Sequence, residues 1–459
     1  MPHFWERTIH ENPVWFQEHP AREAIIESPD RSKFLALHLF GDDGTLRKSR
    51  VMKTVTWMSA LHTPLTALHS RIPFYVLPKH IVLDATEFEL QSAISWSFHI
   101  WLSGLFPSCN HKGEAWPSNS IRAKLAAEQH QIAGGHVGIY TGFVSDELWK
   151  KEHFRFDTMY SNVDMCSRCE ARSCAGPLNF VTCCPLPERS NQAYLDSNAS
   201  RRSPLSWIPG YHISTNRPEA MHIGPLGVLP DAVGSGLIEL CDEAIWGMAD
   251  FSPWRLRLGA QLAAAYAEFY SFCKNSCLQH TIKRFSCAGF SVQTLSGSWP
   301  AFKGKAHNCL VLCSWLACKA REVTEAHPSE YSNVRAQVFW AWKTFFEICS
   351  SADPDWLNAG ELASLDACTK VLILGSNKLA QINSALSKPR WKIRPKLHSM
   401  WHLNSDCQQS GRNPKCFWSF KDEEMMGKLS RIAGAVHAVS LHNRSLERWC
   451  LQFFSFMMD

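Results

Sequence analysis

The sequence predicts an α+β fold of the mixed α/β kind, in which strands come first, a helix closes them, and the second half is mainly helical. Three observations carry this prediction. Lys33–Phe40 places Leu35, Leu37 and Leu39 on one face, Val51–Trp57 sets Val51, Lys53, Val55 and Trp57 against Met52, Thr54 and Thr56, and Ile72–Leu77 offers a third short strand. Asp84-Ala-Thr-Glu87 then opens a long aromatic helix, expected to run to about Leu105, with Asp84 placed to cap and Glu87 to reach back. From Arg255 onward the apolar spacing becomes helical, in Arg255–Cys273, Val334–Cys349 and Glu361–Leu386. An antiparallel start followed by a helix and further elements is a mixed-sheet signature.

In chain order, residues 1–30 read as a polar, aromatic, Pro-punctuated extension of short helices. Residues 31–160 hold the strands and the first helix, and Gly41-Asp42-Asp43-Gly44 is turn chemistry between the first two strands. Ser108–Ser120 is loop-like, and Ala133–Phe143 is expected to carry another strand pair. Residues 161–203 form a Cys-rich segment and a linker, the latter from Pro185 to Pro204. Residues 204–390 continue the core with a helical insertion, and residues 391–459 close it with C-terminal helices.

Composition bounds the function classes. With 459 residues and 45% hydrophobic content the chain fills a sizeable core, and 19 Trp with 26 Phe make it a folded, aromatic-rich protein. The balance of 47 Lys+Arg against 42 Asp+Glu gives +5, which permits nucleic-acid binding without requiring it. The 18 cysteines are scattered, and Met1–Arg7 has no basic-then-apolar pattern, so reduced thiols are expected. Ala93–Phe106, the membrane candidate, is short and carries Ser95, Ser97, His99 and Ser103, so no bilayer span is expected.

Two clusters carry candidate chemistry. Cys166-Ser-Arg-Cys169 presents two thiols at the tight angle a tetrahedral zinc ion needs, and Cys174 with Cys183 or Cys184 offers the second pair; buried or free cysteines are the alternative. Near the C-terminus, His398 and His402 share a face if helical, but Ser399 stands where a zinc-protease motif has Glu, so a satisfied structural pair is expected. Asp422, Glu423 and Glu424 open the next helix, followed by Lys428 and Arg431. The set reads either as metal-holding acids beside DNA-binding cations or as an ordinary solvated helix with a Glu424–Lys428 pair. Phe302-Lys-Gly-Lys-Ala-His307 is a basic loop without the Gly spacing or the Ser/Thr of a P-loop.

Four pieces together resemble DDE-type transposases of the CACTA and Plavaka kind. They are Leu39-Phe-Gly-Asp-Asp43; Cys166-Ser-Arg-Cys169-Glu-Ala; Pro209-Gly-Tyr-His with Glu219-Ala-Met-His222 and Leu226-Gly-Val; and Pro395-Lys-Leu-His398 with Asp422-Glu-Glu-Met-Met-Gly427 and Leu446-Glu-Arg-Trp449. The resemblance implies an RNase H-like core with a large, mainly helical insertion. It also implies nuclear DNA binding (the alternative location being cytoplasmic), and Mg2+ or Mn2+ held by acids for two-metal strand cleavage and transfer. Asp42 or Asp43 would be the first acid, Glu219 the second, and Glu423 or Glu424 the third, with Glu447 in reserve. Glu219 stands where the family has Asp, and a misplacement of about 1 Å costs about a hundredfold in rate. The readings to separate are an active or inactive transposase-like protein, with a homo-oligomer possible, a non-catalytic DNA- or chromatin-binding protein, and a zinc-containing interaction protein.

Overall fold

The structure is a computed structural model describing residues 1–46, 51–181, 185–197, 202–247, 253–294, 298–437 and 440–458. In chain order the elements that matter here are β1 (Phe34–Thr45), β2 (Val51–Ser59), β3 (Ile72–Pro78), α1 (Asp84–Ser103), β4 (Val137–Val144), α2 (Glu147–Phe154) and β5 (Asn216–Arg217). Helices α3 (Leu229–Asp242), α4 (Trp254–Asn275), α5 (Ala306–Ala326), α6 (Glu330–Ser351) and α7 (Ala359–Ala385) follow. The chain ends with α8 (Lys396–Ser410), α9 (Phe420–Gly434) and α10 (Leu441–Met458). It divides into two compact units, one of residues 1–171, 186–219 and 416–459, the other of residues 172–185 and 220–415.

The first unit holds a five-stranded mixed sheet of order β3-β2-β1-β4-β5. Strand β2 is antiparallel to β1 and β3, while β4 is parallel to β1 and to β5. The residues around Ala133–Phe143 therefore give one strand, β4, instead of a pair. Parallel neighbours need a crossover, and α1 lies in the chain between β3 and β4. One face of the sheet is closed by Leu37, Leu39, Val55, Tyr75, Ile94, Phe98, Tyr140 and Phe143 with Trp149 of α2.

The Gly-Asp-Asp-Gly stretch is strand, not turn. Asp42 pairs with Thr54, Asp43 with Lys53 and Gly44 with Met52, so β1 runs on to Thr45. Its glycines serve close packing: a Cβ on Gly41 would lie 2.3 Å from the Trp149 ring, and one on Gly44 would lie 2.6 Å from Met426 of α9. Because side chains alternate along a strand, Asp42 and Asp43 leave opposite faces of the sheet.

The stretch read as a linker has regular structure in its described part, residues 185–197. It carries a helix, Asn191–Ser197, and buries Tyr194 in the sheet core. Residues 1–30 fold into helices Pro2–Glu11, Val14–Gln17 and Arg22–Glu27. They bury Trp5 and Phe16 fully.

The second unit is helical. Helix α3 contributes an almost wholly buried face, and its Gly236 lets the Phe339 ring of α6 approach within 2.4 Å of where a Cβ would stand. The apolar run Ala220–Asp242, rather than Ala93–Phe106, has the length and hydropathy of a membrane span; 89% of its apolar 18-residue window is buried, as in the core helix of a folded domain. A polar network crosses this unit. Arg335 donates to Glu243 at 2.6 and 2.9 Å, and the Trp391 indole donates to Glu239 at 2.8 Å.

Candidate metal centre

Cys166 and Cys169 lie in a tight turn closed by Met165 N donating to Ala171 O at 3.1 Å. The turn is held from outside by one side chain. Arg189 Nε donates to both Cys166 O (3.1 Å) and Cys169 O (2.9 Å), and the backbone at Glu188 bridges to Cys169. The amide of Arg168 donates to Cys166 Sγ at 3.4 Å and so orients that sulfur. Cys169 is buried, and its hydrogen bond with Cys166, followed by burial, pushes its thiol above the ordinary value.

His398 and His402 sit one turn apart on α8, as the four-residue spacing predicts. Both are buried, and their Nε2 atoms are 3.1 Å apart with the rings edge to face. The ligand atoms of Cys166, Cys169, His398 and His402 all lie within 4.8 Å of one another. Zinc bonds of about 2.0–2.3 Å in a tetrahedron imply donor–donor edges of about 3.3–3.8 Å, so small side-chain adjustments close the site around an ion. A Cys2His2 cluster that could hold a metal such as zinc is therefore present, and among the described residues it is the single group of three or more Cys, His, Asp or Glu donors so arranged.

Both pairs are visible in the sequence, but their spacings do not join them: the histidines read as satisfied structural residues, and the second half of a zinc site as Cys174 with Cys183 or Cys184. Cys174 is exposed and stands outside the cluster; Cys183 lies outside the described residues. Arg189 was missed because it falls in the presumed linker.

The acids proposed for two-metal chemistry have other partners. Asp43 accepts from Lys79 Nζ at 2.5 Å, and Asp42 Oδ1 accepts from the Asp43 amide at 2.7 Å. Glu219 is buried and accepts from the Ser419 amide at 2.6 Å. That amide opens α9, whose N-cap side chain makes no capping bond, so the longer Glu side chain anchors a helix start. Glu424 pairs with Lys428 at 2.8 Å and Glu447 with Arg444 at 2.8 Å, as solvated helix faces do. Glu423 is half-buried in the first turn of α9, and Arg431 is exposed, its Nε donating to Gly427 O at 3.3 Å.

Two further acids also have partners. Asp146, just beyond β4, caps α2 by accepting from the Trp149 amide at 2.6 Å. Asp422 is buried and held by Arg71 through two nitrogens, at 2.9 and 3.3 Å. No family model matches this chain, and no curated protein sequence matches it.

Proposed function

We propose that this chain is a zinc-binding protein in which Cys166, Cys169, His398 and His402 hold one structural Zn2+. The carrying observation is the four-donor cluster, whose atoms lie within 4.8 Å of one another. Four protein ligands fill a tetrahedral shell and leave no open position for a reactive water, which is the pattern of a structural site. The expected result is one zinc per purified chain by elemental analysis. Cobalt substitution is expected to give the intense thiolate-to-metal and d–d bands of a tetrahedral site. Both are lost in Cys169→Ser and in His402→Ala but kept in Cys174→Ser. Zinc retained in the first two variants would sink the proposal.

On the same scaffold we infer an RNase H-like core and a non-catalytic DNA-binding role. The sheet order β3-β2-β1-β4-β5, with β2 alone antiparallel to the rest, supports the RNase H-like reading. The ion pairs and amide bonds taken by Asp43, Glu219 and Glu424 favour binding over cleavage. DNA binding is expected to weaken steeply with salt. Mg2+ or Mn2+ is expected to give no plasmid nicking. Nicking that disappears in an Asp42→Ala, Asp43→Ala double variant would restore the catalytic reading.

A further inference from the structure

The helical unit contains a cavity of about 560 Å3 lined by Lys303, Lys305, Arg394 and Lys396 together with Leu226, Pro230 and other small or apolar residues. No acidic side chain lines it. Arg394 is itself held by the buried carboxylate of Asp231, to which it donates through Nε and, at 3.0 Å, Nη2. Arg394 keeps Nη1 for another acceptor, and Lys396 Nζ is 3.0 Å from the His222 carbonyl. Lys303 and Lys305 are exposed, and among the described residues neither has an acidic partner.

The loop that presents these lysines is held rigidly. Ala301 N donates to Phe290 O at 3.0 Å, Phe302 N to Pro230 O at 2.9 Å, and Lys303 N to Gly289 O at 2.7 Å. The loop presses so closely on α3 that a Cβ on Gly234 would stand 2.6 Å from the Pro300 carbonyl carbon. Lys305 immediately precedes Ala306, the first residue of the 21-residue helix α5, so the positive end of that helix adds to the charge of the lysines. A preformed concavity of this volume is in the range of small-ligand sites. Its polar side is entirely cationic, and its apolar side offers room for an uncharged moiety.

We propose that this cavity binds a small phosphorylated ligand of nucleotide size, with Lys303, Lys305, Arg394 and Lys396 receiving the phosphates. Guanidinium and ammonium groups converging on one space suit a dianionic phosphate better than a single carboxylate, because each phosphate offers three acceptor oxygens. None of the proposed zinc ligands lines the cavity, although Lys396 stands two residues before His398 on α8.

The test is isothermal titration of the full zinc-loaded chain with ATP, pyrophosphate and adenosine in turn. ATP and pyrophosphate are expected to bind, adenosine is not, and raising the salt is expected to weaken binding. The exposed pair change Lys303→Glu, Lys305→Glu is expected to lower ATP affinity at least tenfold, while Lys388→Glu, an exposed lysine outside the cavity, leaves it unchanged. Three results would overturn the proposal: no binding of ATP or pyrophosphate at millimolar concentration, equal affinity in the double variant, or adenosine binding as tightly as ATP. A short DNA duplex that loses affinity in the double variant, while ATP never binds, would instead assign the lysines to a nucleic-acid backbone.

Discussion

The sheet-bearing unit and one loop of the helical unit treat their charges in opposite ways, although elsewhere in the helical unit Arg335 meets Glu243 and Arg394 meets Asp231. Around the sheet, carboxylates meet partners one by one: Asp422 meets Arg71, Asp43 meets Lys79, Glu219 meets the Ser419 amide and Asp146 meets the Trp149 amide. At the loop from Lys303 to Lys305 the cations meet no acid among the described residues. Matched charges hold a structure together; unmatched ones that share a cavity are available to a ligand. The acidic residues that drew attention in the sequence thus serve the fold, and a basic loop set aside there is the better candidate for recognition.

The comparison breaks most visibly at Asp422. The carboxylate is 1% exposed and held by two nitrogens of Arg71. Removing one partner of a buried pair leaves an uncompensated charge and costs about 3–5 kcal/mol. Arg71→Met is therefore expected to lower the urea midpoint strongly, and Arg71→Met with Asp422→Leu to recover most of the loss. A single variant within about 1 kcal/mol of the parent would mean that the pair is hydrated.

A smaller effect belongs to His19, which is buried and whose Nδ1 accepts from the Ala21 amide at 3.0 Å. Burial lowers its pKa to about 4 from an ordinary 6.5, against a backbone hydrogen bond to Tyr140 that raises it. The folded state thus holds this ring neutral where the unfolded chain has already taken up a proton. Stability from this site is complete above pH 6.5 and is lost as pH falls toward 4, by roughly 3 kcal/mol in all. His19→Gln is expected to flatten that part of the stability profile, read as the urea midpoint at pH 7 and at pH 4.5. An unchanged slope would place the acid sensitivity elsewhere.

Much of this was legible from residues alone. Period-two patterns placed β2 and the first part of β1, a short apolar run placed β3, the Asp84–Glu87 start placed α1, and helical spacing placed α4, α6 and α7 within a few residues. Gly41 and Gly44 misled because glycine means a turn locally and a close contact globally; the Trp149 and Met426 side chains that require them are distant in sequence. Strand β5 is two residues long, too short for any periodicity. Each half of the metal cluster was visible in its own spacing, Cys-x-x-Cys and His-x-x-x-His. Their pairing was not, because spacing carries no information on which distant half completes a site. The basic loop was discounted for lacking a P-loop pattern, since Arg394 and Lys396 enter the same cavity from another part of the chain.

The smallest expected effect is at Asp43 and Lys79, and it sharpens the comparison most. Lys79 is 44% exposed and Asp43 24%, so their contact sits partly in water, where such pairs contribute about 0–1 kcal/mol. Lys79→Ala is expected to leave the unfolding midpoint nearly unchanged while freeing the Asp43 carboxylate. If carboxylate matching here is a matter of the fold, the freed acid gains no metal chemistry, because Asp42 leaves the opposite face of the strand and Glu219 remains on the Ser419 amide. Nicking of plasmid DNA by this variant with Mn2+, absent in the parent, would instead mean that the ammonium group stands where a metal ion once stood.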